Sequence, residues 1–319
     1  MKKGRLKKII IGSFIGIFSL IFALIIGIFS YIYMNYGKEV KEIVDITNNI
    51  KNEKIEISKP LNVLVLGLDI GDINNKNDNS IKRTDTIMLV HYDPTIPKTD
   101  VLSIPRDTMF YYKGKRNKIN AAYPIGGDEL IKSTVENMLD TQIDNIIKVD
   151  YNAFREIIDA IGGVKMYIDR DMNYDDPSQN LSIHFKKGET VLLDGKAAEE
   201  FFRWRKNNDG TGFIDGDMGR IKNQQKLMKK VFQKCISPSI ILKIDDIIDV
   251  IKRNVDTDMS FERMVAYGTT LVKLKEDSIK MHTLKGEPKY IDRLWYFIYN
   301  KDENADIINT LNHRTMVID

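Results

Sequence analysis

The chain is 319 residues long, 43% hydrophobic and 29% charged, with a net charge of +3 and one cysteine, Cys235. A lone cysteine excludes an internal disulfide framework, and the length is enough to bury a sizeable core without one. Lys2, Lys3, Arg5, Lys7 and Lys8 hold five of the positive charges, so taking them from +3 leaves −2 for the remainder. That excludes the broad cationic face of nonspecific nucleic-acid binding, and no nucleic-acid partner is expected.

Between Lys8 and Lys38 no charged residue occurs. This run is longer than the roughly 20 residues a helix needs to span a bilayer, and than the roughly 7–15 apolar residues of a cleaved signal. A transmembrane helix over 9–36 is predicted. The basic residues ahead of it, against the cancelling Lys38, Glu39, Lys41 and Glu42 behind, put the N-terminus in the cytoplasm. The plan is a cytoplasmic tail over 1–8, the membrane helix, an extracellular stalk over 37–59 and an extracellular domain over 60–319. In the stalk, Val40, Ile43, Val44, Ile46 and Ile50 recur at near-helical spacing until Pro60 stops them.

From Leu61 onward apolar runs alternate with turn residues. Leu61 to Leu68, Asp85 to Tyr92 and Thr99 to Ile104 read as strands, with antiparallel pairing of neighbours. Asp128 to Leu139 and Tyr151 to Ile161 read as helices, each followed by a strand, Ile146 to Val149 and Val164 to Ile168. Leu181 to Leu193 reads as a hairpin around Lys187-Gly188. Helices are expected over Lys196 to Arg205, Arg220 to Ile236, Ile240 to Arg253 and Phe261 to Leu274. A strand follows at Ile279 to Leu284, then helices at Tyr290 to Tyr299 and Ala305 to Leu311. Strands alternating with helices indicate an α/β layered domain. The Asn- and Asp-rich stretch from Gly71 to Asn79 reads as a loop.

Chemistry concentrates in a few blocks. Arg203-Trp204-Arg205, Asp217-Met218-Gly219-Arg220 and Gln224-Gln225 gather guanidiniums, a carboxylate and amides in a short stretch. The planar guanidinium fork matches phosphate oxygens, so this grouping reads as recognition of a polyanion. Upstream, Asp69 follows the first expected strand, Arg83 and Asp85 open the second, and Arg106 with Asp107 follow the third. Antiparallel pairing brings these groups to one edge, where ligands of α/β sheets bind. Asp69, Asp85 and Asp217 are the expected oxygen ligands of Mg²⁺ (or Mn²⁺). The histidines, His91, His184, His282 and His313, lack zinc-ligand spacing. Phe110, Tyr111 and Tyr112 beside Lys113, Lys115 and Arg116 suit either stacking on sugars or a solvated hairpin.

Taken in order, Leu61 to Asp69, Arg83-Thr84-Asp85-Thr86, Ile104-Pro105-Arg106-Asp107, Lys118 to Tyr123 and the Arg203 to Gln225 blocks resemble the LytR-CpsA-Psr family of bacterial cell-wall ligases. The resemblance covers Leu61 to Ile236. It implies a three-layer α/β/α sandwich with a central mixed sheet behind one membrane helix, anchored in the cell membrane with its catalytic domain outside. It implies a phosphotransferase that takes an anionic glycopolymer, of wall-teichoic-acid or capsule type, from an undecaprenyl pyrophosphate carrier to peptidoglycan. Arg83, Arg106, Lys118, Arg203, Arg205, Arg220 and Gln224 then bind pyrophosphate, with Arg83, Asp85, Arg106, Asp107 and Arg220 catalytic. Tyr151 to Ile161, Phe201, Phe202 and Val231 to Ile240 are possible walls for the lipid tail, with ordinary core packing the preferred reading of such helix faces. The chain departs from the family at Asn223, where many relatives carry Arg, and in the loop Asn207 to Asp215. Two other functions are compatible with the same residues: a lipid pyrophosphate hydrolase, and a non-catalytic membrane-bound regulator or attenuator. The latter fits poorly with an eight-residue cytoplasmic tail.

Overall fold

The computed structural model describes residues 59–68, 83–214, 216–237, 240, 243–271 and 273–312, all within the compact unit Glu56–Asp319. The expected membrane helix and stalk, the loop with Asp69, and Asp215 and His313 lie outside the described residues. Among the described residues no helix is long and apolar enough to cross a membrane.

In chain order the elements are β1 (Leu61–Leu68), β2 (Thr84–Asp93), β3 (Lys98–Ile104), β4 (Met109–Tyr112), β5 (Lys115–Lys118), α1 (Ala122–Leu139), β6 (Asn145–Asp150), α2 (Tyr151–Ala160) and β7 (Val164–Tyr167). There follow β8 (Met172–Asp176), β9 (Leu181–Phe185), β10 (Thr190–Leu193), α3 (Gly195–Arg203), α4 (Asp217–Cys235), α5 (Ile244–Asn254), β11 (Asp256–Thr257) and α6 (Phe261–Leu271). The chain closes with β12 (Ile279–Thr283), β13 (Gly286–Ile291), β14 (Leu294–Tyr299) and α7 (Ala305–Leu311). Six strands form a mixed sheet in the order β11-β6-β1-β2-β3-β12. β1, β2 and β3 are antiparallel neighbours, while β6 joins β1 and β12 joins β3 in parallel.

Period-two alternation decides which residues each face buries. Leu64 pairs with Leu89 and Leu89 with Leu102, Leu66 with Ile87 and Ile87 with Ile104, giving a sheet-wide apolar row. This row packs on Ile131, Val135 and Leu139 of α1 and on Ile307, Ile308 and Leu311 of α7. Leu61, Val63 and Tyr92 belong to a separate cluster with Tyr267 of α6, Met259 and Leu274. Each fully buried Leu or Ile contributes roughly 1.5–3 kcal/mol, and a one-residue slip of β1 would turn its whole set away from its helices. A third cluster joins α2, α3 and α4 to β7 and β9 through Ile158, Phe201, Phe202, Leu227, Met166 and Ile183. Two helix starts follow from capping: Asp150 accepts from Ala153 N and Asp194 from Ala197 N, each at 2.8 Å.

Two expected elements are corrected. Tyr290 to Tyr299 is not a helix but the hairpin β13–β14. Asp292 and Arg293 both take positive φ, 49° and 66°, which is the backbone of a two-residue hairpin turn, and the aromatic-rich run prefers a pleated surface. Leu181 to Leu193 is two strands with different partners, β9 pairing with β8 and β10 with β7. The alternation of buried Leu181, Ile183 and Phe185 with exposed Ser182 and His184 marks a strand without naming its neighbour. The turn instead locks onto the chain after β7: Gly188 N donates to Ile168 O and Ile168 N to Glu189 O, both at 2.9 Å.

Asp100 of β3 is 2% exposed and meets His282 of β12, whose Nε2 lies 2.8 Å from Oδ1, and Lys98, whose Nζ lies 2.8 Å from Oδ2. Burial alone would raise its carboxyl, but His282 and Lys98 outweigh burial and hold it below the usual carboxylate range. A depressed carboxylate stabilises the fold above its unfolded-state value, and the contribution is lost as pH falls through the folded-state value. Asp100→Asn is expected to cost about 1–3 kcal/mol in urea denaturation at pH 7, with the difference from the parent shrinking as the pH is lowered through that range.

Candidate functional site

The antiparallel order of β1, β2 and β3 places the start of β2 beside the turn after β3. Asp85 and Arg106 meet there, with Nη1 of Arg106 donating to Asp85 Oδ1 at 3.0 Å. Asn120 N donates to Arg106 O at 3.1 Å and Thr108 N to Pro105 O at 2.9 Å, fixing the turn that presents the guanidinium. From the other side comes the first turn of α4, which begins at Asp217, three residues earlier than its periodicity suggests. Asp217 Oδ1 lies 2.6 Å from Arg220 Nη2 and 3.7 Å from Arg106 Nε. Neither approach has hydrogen-bond geometry, so both buried oxygens of Asp217 and the buried Nε of Arg106 and Arg220 stay without a hydrogen-bond partner. Buried polar atoms are rarely left so, and a cluster of them marks a place built for a further group.

These residues border a cavity of about 290 Å³ lined by Asp85, Thr86, Arg106, Tyr151, Tyr174, Gln179, Leu181, Arg203, Arg205, Lys206, Arg220 and Gln224. Four of the five expected guanidiniums thus share one wall system. Arg203 and Arg205 reach it because Trp204 between them is buried, its indole edge against Phe213 with centroids 4.8 Å apart and its Nε1 donating to Asn207 Oδ1 at 3.1 Å. Arg83 is exposed just before β2 and does not line the cavity. Asp107 and Lys118 do not line it either; they pair with each other at 2.8 Å beside it. Asp217 sits in an adjoining cleft with Asp85, Arg106, Arg220 and Gln224. Among the described residues no group of three or more His, Cys, Asp or Glu side chains forms a metal-binding cluster. Asp85 and Asp217 are the two expected oxygen donors that the structure brings to the same guanidinium.

The charges here are strongly coupled. Burial by itself would lower Arg106, yet Asp85 and then Asp217 outweigh it and raise it above its ordinary value. Arg220 is pushed the other way: burial lowers it, and the neighbouring Arg106 adds to that against the pull of Asp217 and Asp85.

A second, apolar cavity of about 130 Å³ shares Thr86 and Tyr151 with the first. Phe154, Ile157 and Ile158 of α2, Phe202 of α3, and Met228 and Val231 of α4 line it, with Val65, Gly67 and Leu68 of β1. Tyr151, Phe202, Val231 and the α2 face were among the expected walls; Phe201 is instead packed in the core.

Several contributors escape sequence reading. Glu199, 5% exposed, accepts from Arg155 Nη1 at 2.8 Å and from Arg203 Nη1 at 2.9 Å, while Gln179 accepts from Arg203 Nη2 and the Tyr151 ring lies under its guanidinium at 4.8 Å. The Glu199–Arg203 spacing of four on a helix was the available signal; Arg155 comes from another helix. Glu199→Leu removes the buried carboxylate shared by Arg155 and Arg203 and is expected to cost about 1–3 kcal/mol in urea denaturation, with Glu199→Gln recovering part of it. Gln225 is a clamp rather than a ligand, its Nε2 donating to Ser103 Oγ, His282 O and Thr283 Oγ1 at 2.8–3.0 Å. Asn223, 2% exposed, donates to Phe201 O and Gln224 to Phe202 O, both at 3.2 Å, satisfying carbonyls at the end of α3.

The domain is thus a mixed α/β fold in which an arginine-lined cavity lies against an apolar one, the two sharing Thr86 and Tyr151. Residues 29–313 match the LytR_cpsA_psr (LytR-CpsA-Psr) family, and the chain belongs to it. Among its relatives, the polyisoprenyl-teichoic acid–peptidoglycan teichoic acid transferase TagU of Bacillus licheniformis is 31% identical over 96% of this chain and 95% of its own. The TagU of Bacillus subtilis is 32% identical over 91% of this chain and 90% of its own. The crystal structure of B. subtilis TagV superposes with a TM-score of 0.66 at 29% identity, over 80% of this chain and 96% of that one.

Proposed function

We propose that the chain transfers an anionic glycopolymer, teichoic-acid-like or capsule-like, from undecaprenyl pyrophosphate to peptidoglycan, leaving undecaprenyl phosphate. The observation that carries this reading is the wall shared by the two cavities, Thr86 and Tyr151. An amphiphile with a charged head and an apolar tail needs a polar and an apolar compartment side by side. The names of the TagU relatives support the substrate class. At about 130 Å³ the apolar cavity is smaller than the roughly 300–1,000 Å³ of ordinary ligand sites, so a long tail lodges by parting α2 from α4 or by running outward between them.

In this mechanism Arg106, Arg203, Arg205 and Arg220 hold the pyrophosphate, with Gln224 at its margin and Arg83 and Lys118 closing from outside. A peptidoglycan hydroxyl, taken as the 6-OH of N-acetylmuramic acid by analogy with the family, attacks the phosphorus next to the polymer. The new P–O bond forms as the bond to the bridging oxygen breaks, and that oxygen leaves on undecaprenyl phosphate with the electron pair. The hydroxyl proton passes to Asp85 or Asp107; Asp85 lines the cavity against Arg106 and Asp107 is paired with Lys118, and a carboxylate holding a metal ion would not serve as the base. Phosphoryl transfer of this kind depends on positioning and neutralisation of charge. Asp85 and Asp217, with Asp69, are the residues that would hold Mg²⁺ or Mn²⁺, and the undonated buried oxygens of Asp217 suit a hard cation. Such an ion supplies positive charge to the pyrophosphate when bound. The apolar run after Lys8 anchors the chain in the cell membrane as a single-pass protein with the catalytic domain outside.

The test incubates the full-length chain in detergent with a lipid-linked polymer, with and without peptidoglycan oligomers. Polymer joined to the oligomers only when they are present supports transfer. Free phosphorylated polymer regardless of acceptor would establish hydrolysis instead, and no turnover in either case a binding role.

A further inference from the structure

We infer that the two adjacent hairpins β4–β5 and β13–β14 form a binding surface for the anionic glycan chain that continues beyond the pyrophosphate, an inference that rests on the transfer reading above. The hairpins are joined in space. Thr108 bridges Phe297 in parallel, Phe297 N donates to Asp107 O at 2.8 Å, and Arg116 Nη1 lies 3.0 Å from Asp292 Oδ2.

Their exposed side chains have the composition of a polyanionic-saccharide site. Tyr111 is 64% exposed, and Tyr290 and Trp295, each 58% exposed, form a cross-strand ring pair 5.2 Å between centroids. Large aromatic rings left this open on a surface are unusual, and flat ring faces are what the apolar faces of sugars pack against. Met109 to Lys118 carries Lys113, Lys115, Arg116 and Lys118 with no acidic residue, although the chain beyond its first eight residues is net −2. Such a local excess of cations on a mildly acidic body attracts a chain of repeated negative charges.

Position selects the same occupant. The hairpin base is next in sequence to the cavity wall: Lys118 pairs with Asp107, the neighbour of the cavity-lining Arg106. A ligand on this surface is therefore within reach of the group bound by Arg106, as a polymer covalently attached to the pyrophosphate must be. The hydrocarbon side is handled elsewhere, by the walls of α2, α3, α4 and β1. The acids at the outer hairpin, Asp292 and Glu287, are unsuited to an anionic bilayer surface but do not obstruct a flexible glycan held by Tyr111 and the β4–β5 cations.

The test titrates soluble poly(glycerol phosphate), carrying no lipid and no pyrophosphate, into the full-length chain in neutral detergent. Tryptophan emission is followed, and its change on titration is assigned to exposed Trp295 because Trp204, the other tryptophan, is buried away from an added polymer. Saturable quenching is expected, weakened at least tenfold in a Tyr111→Ala, Lys115→Ala, Arg116→Ala triple variant. Exposed positions are altered, so folding should be preserved; a circular dichroism melt confirms it, and Trp295→Phe with calorimetric detection gives a second reading. Equal binding by parent and triple variant overturns the inference. So does binding of neutral chito-oligosaccharide in place of the polyanion, or binding of anionic phospholipid vesicles that the triple variant abolishes. A parent protein that binds the polymer at this surface but joins none of it to peptidoglycan oligomers would count against the transfer reading and leave the hairpin surface standing.

Discussion

Arg106→Lys lowers acceptor-dependent polymer transfer by about 10²–10³-fold, while the melting temperature stays close to that of the parent. The substitution keeps a positive charge between Asp85 and Asp217, so neither carboxylate is stranded. What it removes is the fork: Nη1 donates to Asp85, and the remaining N–H groups of the planar guanidinium are the donors for phosphate oxygens. A lysine presents one point charge and cannot serve both. Arg106→Ala should lose as much activity or more. Arg220→Ala differs, because Asp217 would stay buried without its 2.6 Å neighbour; a loss of about 3–5 kcal/mol of stability is expected along with the loss of transfer. Steady-state transfer and urea denaturation on the same preparations separate the two effects. A folded Arg106→Ala protein that transfers polymer at the parent rate would refute the role of the guanidinium cluster.

Met228→Trp raises KM for the undecaprenyl substrate by about 100-fold and leaves kcat for a substrate with a short, water-soluble chain unchanged. Met228 is partly buried on α4 and lines the apolar cavity with Ile157 and Phe154. An indole there occupies space that the tail would fill. Each buried methylene is worth about 0.8 kcal/mol, so displacing only four of them costs about 3 kcal/mol, which is the predicted factor. Met228→Leu, close in volume, should bind nearly as the parent does. If the indole variant keeps the parent KM for the long-chain substrate, the tail lies elsewhere.

The strands β1 to β3 and their antiparallel pairing were legible because each is a short apolar run closed by turn residues. The placing of Asp85 beside Arg106 follows from that pairing alone. The α2 face, Phe202 and Val231 were named from helical spacing as possible walls, with core packing preferred, and they border the apolar cavity. Spacing could not decide between core and cavity, and Phe201 shows the difference, since it is one residue from Phe202 and buried in the core. The hairpin at Tyr290 to Tyr299 was missed because its apolar residues fit three- and four-residue intervals as well as alternation. Only the positive φ of Asp292 and Arg293, unusual for side chains other than Gly and Asn, makes the turn evident. Strand partners for Leu181 to Leu193 were illegible for another reason: alternation specifies a face, while pairing is set by long-range hydrogen bonds such as Gly188 to Ile168. Glu199 escaped because half of its environment, Arg155, comes from a helix 44 residues away.

The most direct measurement is a crystal structure of the chain with a polyprenyl pyrophosphate soaked in. The account predicts phosphate density contacting Arg106, Arg203, Arg205 and Arg220, with the first isoprene units entering past Thr86 and Tyr151 between α2 and α4. Phosphate bound away from those guanidiniums, or a tail lying outside the apolar cavity, would contradict it.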